Sequence, residues 1–93
     1  MTQTFDEWKK ETYNGWTNRE TWNTSLWIGN VEPLYNLILG IVEESKNLGD
    51  CADRLEQFLW IIWDGKTPDD CSLKPVNFVE IAESWWEEFR NDD

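Results

Sequence analysis

Histidine does not occur in this sequence, and cysteine occurs only twice. Without histidine the commonest general acid–base group is missing, and neither Cys51 nor Cys71 has the imidazole partner that would activate a thiolate. A zinc site would need four ligands with no imidazole among them. Ser25, Ser45, Ser72 and Ser84 lie in no nucleophile motif. No glycine-rich phosphate loop is present, and no calcium-loop spacing follows Asp64, Asp69 or Asp70. The expectation is a protein that is not an enzyme and carries no metal or cofactor.

Basic residues are also scarce. Eight Lys and Arg, scattered from Lys9 to Arg90, face 19 Asp and Glu, for a net charge of −11. Such a chain repels DNA, RNA and anionic lipid over a Debye length. Phosphate contacts depend on clustered Lys and Arg, so no direct nucleic-acid binding is expected, and the charge favours basic proteins as partners. Long apolar runs are missing as well: no stretch approaches the run of about 20 residues that a membrane span needs. The opening Met1–Glu11 is polar and acidic, unlike the basic head and apolar middle of a signal peptide. A cytosolic protein with no membrane contact is expected, its two cysteines reading as free thiols with a disulfide as the alternative.

What the chain does have is apolar and aromatic content, 40% and 15%, with eight tryptophans in 93 residues. That suits one compact core and does not suit disorder. A polar lead-in over 1–15 carries Phe5, Trp8 and Tyr13 and closes at Asn14-Gly15. Thr17-Asn18-Arg19-Glu20 has capping-box spacing, which predicts a helix over about 18–28 with Trp22 and Leu26 stacked. Pro33 in a first turn and the stripe Leu34, Ile38, Ile41, Val42 predict a second over 32–47, closed by Lys46 and Gly49. Asp50 as a cap and Leu55, Phe58, Leu59 and Ile62 as the inner face predict a third over 51–63, with Gly65 as its stop. After a loop over 65–75, Asn77 and Glu80 open a fourth over 77–90, with Phe78, Ile81, Ala82, Trp85 and Phe89 inward. Nothing alternates with period two, so the fold class is all-α: a single domain, a small bundle of about four helices with a partly ordered N-terminal segment.

Two stretches carry a resemblance. Gly15-Trp16-Thr17-Asn18-Arg19-Glu20-Thr21-Trp22-Asn23, continuing through Leu26-Trp27-Ile28, resembles the "GWTNYETWN…LW" segment of a family of small uncharacterised proteins of bacteriophages, plasmids and bacteria. Val76-Asn77-Phe78-Val79-Glu80-Ile81-Ala82-Glu83 resembles that family's "VDWREIAE" ending. Arg19 stands where the family often has an aromatic residue, and Phe78 where it often has tryptophan. The resemblance implies no activity and no site residues; it implies a setting in phages or mobile elements, hence a host cell's cytosol.

Candidate site residues follow from charge and from tryptophans that the helical stripes do not use. Glu80, Glu83 and Glu87 recur at i, i+3 and i+7, with neighbours roughly 5–6 Å apart, a spacing comparable to that of charges along a nucleic-acid backbone. Asp92 and Asp93 extend the row, and Asp53 and Glu56, with Asp50, form a second acidic cluster. Solubility needs a net charge of only about 2–8 in magnitude, so the excess points to a partner, although a solvated face is the simpler account of any one row. Trp60, with Ile61, projects off its stripe; Trp27, Ile28 and Leu39 do the same on theirs, and Trp86 sits beside the glutamates. Tryptophan is enriched where binding energy concentrates. These features predict an acidic, non-catalytic binding protein that docks on a basic host surface, such as that of a nuclease, a restriction enzyme or a CRISPR effector. The alternative is a self-associating protein with Trp60, Ile61 and Leu39 in a homodimer interface.

Overall fold

The computed structural model of the chain describes residues 15–90. The lead-in residues Phe5, Trp8 and Tyr13, and the acidic end at Asp92 and Asp93, lie outside the described residues. Four helices follow one another: α1 Arg19–Asn30, α2 Glu32–Glu44, α3 Leu48–Trp63 and α4 Phe78–Phe89. No strand occurs among the described residues; an isolated bridge pairs Lys66 with Ser72. Helix α4 packs on all three others, most extensively on α3, whereas the backbones of α1 and α3 do not approach closely.

The start of α1 departs from the expected capping box. Asn18, not Thr17, is the cap: its backbone is extended, and its Oδ1 accepts from the Thr21 amide at 2.8 Å and from the Thr21 hydroxyl at 2.6 Å. A short amide side chain one residue later satisfies one of the free N–H groups of the first turn. Thr17 is released for another use. Its N–H donates to Glu80 Oε1 at 2.9 Å, and its hydroxyl accepts from Asn77 Nδ2 at 3.2 Å. The Thr21 hydroxyl accepts from the Asn77 amide at 2.9 Å, and Asn18 Nδ2 donates to the Pro75 carbonyl at 2.8 Å. The two stretches that carry the family resemblance thus bind each other, tying the start of α1 to the start of α4.

This lattice sets the rotation of α1. Thr21, Asn23, Thr24 and Ile28 are buried, while Trp22 is half-buried and Leu26 is 41% exposed. The expected Trp22–Leu26 stripe is not the inner face, and Ile28, expected off-face, is in the core. Small side chains at Thr21 and Thr24 let the helix approach closely, a gain in packing that outweighs the preference for burying the largest apolar groups.

Helix α2 buries Leu34, Ile38 and Val42, with Pro33 in its first turn. It stops at Glu44 rather than at 47, so Lys46 and Gly49 do not close it; Gly49 lies inside α3. The stop is built from α4: Arg90 Nη1 donates to the carbonyls of Val42 at 3.0 Å, Glu43 at 3.4 Å and Ser45 at 2.6 Å. A guanidinium here satisfies free carbonyls and complements the helix dipole. The same group lies 4.3 Å from the centroid of Trp86.

Helix α3 begins three residues earlier than expected because Asn47 is its cap, accepting from the Asp50 amide at 2.8 Å. Asp50 instead receives the Lys46 N–H at 3.0 Å and Arg54 Nε at 2.9 Å. The backbone donor first, and Arg54 after it, hold its carboxyl below the ordinary value. The buried line is Cys51, Ala52, Leu55 and Leu59; Phe58 is half-buried and Ile62, expected inward, is 43% exposed. The inner face follows the i, i+4, i+8 row of Cys51, Leu55 and Leu59, with Trp60 and Trp63 packed against the core beside it. Asp64 ends α3 in the left-handed region. At Gly65 (φ +91°) an added Cβ would stand 3.0 Å from the Trp60 ring, so that close approach requires glycine.

The connection after Gly65 is more ordered than a polar loop. Thr67 N–H donates to the Cys71 carbonyl and Leu73 N–H to the Gly65 carbonyl, and Thr67, Cys71, Leu73 and Val76 are buried. Helix α4 inserts Phe78, Ile81, Ala82 and Trp85, and Tyr35, Trp85 and Phe89 form an aromatic cluster with centroid separations of 5.0–6.2 Å. Cys51 and Cys71 are both buried and unpaired.

Candidate functional site

The helical register of α4 that buries Ile81, Ala82 and Trp85 turns Glu83 and Glu87 outward and leaves Glu80 half-buried. Together with Gly15, Trp16 and Ser84 the three glutamates line an open groove of about 280 Å³. Trp16 is half-buried, packed against the core on one side, and forms the aromatic wall. Gly15 is in the left-handed region (φ +89°), which turns the chain where it meets the groove. Glu80 is anchored by the Thr17 N–H, so its position is fixed, whereas Glu83 and Glu87 are free to meet a partner. The ion pairs among the described residues are Arg54–Asp50 at 2.9 Å and Lys66–Asp70 at 3.2 Å, and neither draws on the groove. Three carboxylates one turn apart, with no cation of the described residues between them, make a local negative field, attractive to Lys and Arg.

The other residues expected at the site lie elsewhere. Trp86 is half-buried and serves as the platform for Arg90. Trp60 does not project outward: it is half-buried, packed on the core and over Gly65. Leu39 is likewise half-buried against the core. Asp53 and Glu56 are exposed on α3, outside the groove lining. Ile61 does stand out, at 78% exposed. The contribution of Trp16 was not legible from sequence, because an aromatic next to a helix start reads as core.

A second depression, of about 350 Å³, is lined by Leu26, Trp27, Asn30, Val31 and Asp69. Asp69 Oδ2 accepts from Asn23 Nδ2 at 2.9 Å and from Trp27 Nε1 at 3.1 Å. These bonds, Asn23 first and Trp27 next, with a smaller contribution from the charge of Arg19, hold the Asp69 carboxyl below its ordinary value. The sequence signal for this site is the Asn23–Trp27 pair at i, i+4, which places both donors on one side of α1. Asn23 Oδ1 and Thr24 Oγ1 are buried without hydrogen-bond partners.

Neither thiol is placed for chemistry: both are buried, and burial pushes the Cys51 thiol up, against a smaller opposing effect of the Ser45 hydroxyl. Among the described residues, no three His, Cys, Asp or Glu side chains gather in a way that could hold a metal ion. None of their helices is long and apolar enough to cross a membrane.

Residues 9–90 match DUF7249, a family of unknown function. No curated protein and no solved structure matches the chain.

Proposed function

The chain belongs to this family of unknown function, and on that premise we propose that it is a non-catalytic acidic protein that binds the basic surface of a nucleic-acid-processing protein. The observation that carries the reading is the groove in which Glu80, Glu83 and Glu87 meet Trp16, in a chain of net charge −11. The charge steers a basic partner from a distance and favours it over acidic competitors. Glu83 and Glu87 then meet Lys or Arg groups that otherwise hold phosphates, while Trp16 supplies apolar contact at close range. Trp16 takes the adhesive role in place of Trp60 and Trp86, whose rings are engaged within the fold. Occupying a phosphate-binding groove would make the protein an inhibitor. The resemblance to phage and plasmid proteins suggests a host defence protein as the target, such as a restriction enzyme or a CRISPR effector.

The test is affinity capture from host lysate at low and high salt, followed by competition with DNA and RNA. A nuclease or other nucleic-acid-binding protein, retained at low salt and displaced by nucleic acid, is the expected result. Capture that ignores both salt and nucleic acid would refute the mimicry.

Self-association stands as the second reading, favoured by the exposure of Ile61 beside Ile62. With Trp60 and Leu39 packed into the fold, a homodimer would rest mainly on those two side chains. A molar mass by light scattering that stays monomeric as concentration rises removes it.

A further inference from the structure

The depression beside Asp69 has the composition of a receptor for one cationic side chain. Leu26, Trp27 and Val31 give it apolar lining, and Asn30 and Asp69 are its polar members. Its volume of about 350 Å³ lies near the small end of ligand pockets, which run from about 300 to 1,000 Å³. The carboxylate is set in advance. Oδ2 accepts from both Asn23 and Trp27, and Asn23 is only 3% exposed, so its amide is held in place by packing. Both donors are neutral, so they orient the carboxylate without cancelling its charge. Lys66, the nearest lysine in sequence, pairs with Asp70 instead, and Oδ1 of Asp69 has no partner among the described residues.

We infer that this pocket receives a lysine or arginine side chain of a protein partner, its aliphatic stem against Leu26, Trp27 and Val31 and its charged head on Oδ1 of Asp69. Long basic side chains bury their stems on apolar surface while keeping the head on a polar partner, and the charge-assisted bond to a fixed carboxylate is the stronger kind. That the occupant comes from a protein rests on the reading of the chain as a binder of basic surfaces; the pocket's preference for a cation does not.

The experiment is an NMR titration that follows the Trp27 indole N–H in the full chain. The probes are Nα-acetyl-arginine amide, Nα-acetyl-lysine amide, the neutral isostere Nα-acetyl-citrulline amide, and putrescine. Saturable shifts are expected with the arginine and lysine amides, at least about tenfold weaker binding with citrulline, and loss of the cation response in Asp69→Asn. That variant keeps an oxygen for Asn23 and Trp27, and a native far-UV circular dichroism spectrum with a single cooperative melt would show that the fold is intact. Equal response to citrulline, no saturable shift, or undiminished binding by a folded Asp69→Asn would overturn the inference. Tighter binding of putrescine than of the acetylated amides would also overturn it, assigning the pocket to a free amine. No partner protein is used, so failure here leaves the groove reading standing, and failure of the groove under charge reversal leaves this pocket standing.

Discussion

Asn18 shows how much one polar residue does in this fold. Its Oδ1 caps α1 and accepts the Thr21 hydroxyl, and its Nδ2 reaches the Pro75 carbonyl ahead of α4. Asn18→Ala removes the cap and frees Thr21, and a loss of about 1–2 kcal/mol in urea unfolding is expected; a change near zero would contradict the assignment of the cap. Asp50 and Asp69 act by charge as well as geometry. Both carboxyls are held below their ordinary value of 3.8. A group lowered in the folded state adds stability above its unfolded value and loses it as pH falls through the folded one. Asp69→Asn cannot ionise, so its stability should fall less steeply than that of the parent between about pH 5 and 2. Parallel urea midpoints across that range would show that the two hydrogen bonds do not favour the charged form.

At the scale of the helices, α3 provides the sharpest contrast. Leu59 is fully buried, whereas Ile61, two residues on, is 78% exposed. Leu59→Ala should cost about 2–5 kcal/mol, and Ile61→Ser should stay within about 0.5 kcal/mol. Similar losses from both, read by chemical denaturation, would contradict the orientation of the helix. The sequence made the four helices legible because apolar residues at i, i+4 and i+7 and the turn signals between them are local. Of the apolar stripe read on α2, Leu34, Ile38 and Val42 are buried and Ile41 is half-buried, and Asn77 was read as the cap of α4, which accepts from the Glu80 amide at 3.1 Å. Other features were out of reach because their cause lies far along the chain. The end of α2 depends on Arg90, 45–48 residues away. The rotation of α1 depends on bonds between Thr17, Asn18 and Thr21 and the start of α4, 56–63 residues distant. The inward turn of Trp60 depends on glycine at 65.

The molecule as a whole carries more negative charge than solubility requires, and its carboxylates repel one another. Salt should therefore raise its melting temperature at neutral pH, a dependence readable by circular dichroism from low ionic strength to about 0.5 M; no rise would mean that the charges are spread too widely to interact. The acidic row on α4 was legible in the sequence as a helical spacing. Its meeting with Trp16 was not, since Trp16 is brought to the row by the Thr17–Glu80 bond. The most direct test of the binding claim sets Glu83→Lys/Glu87→Lys, in the groove, against Asp53→Lys/Glu56→Lys, outside it. The two variants have the same net charge, and Glu80 is left intact because it holds Thr17. The measurement is the amount of nucleic-acid-displaceable protein that each folded variant captures from host lysate, relative to the parent. The account predicts capture lost in the groove variant and largely kept in the other; equal capture by both would contradict it.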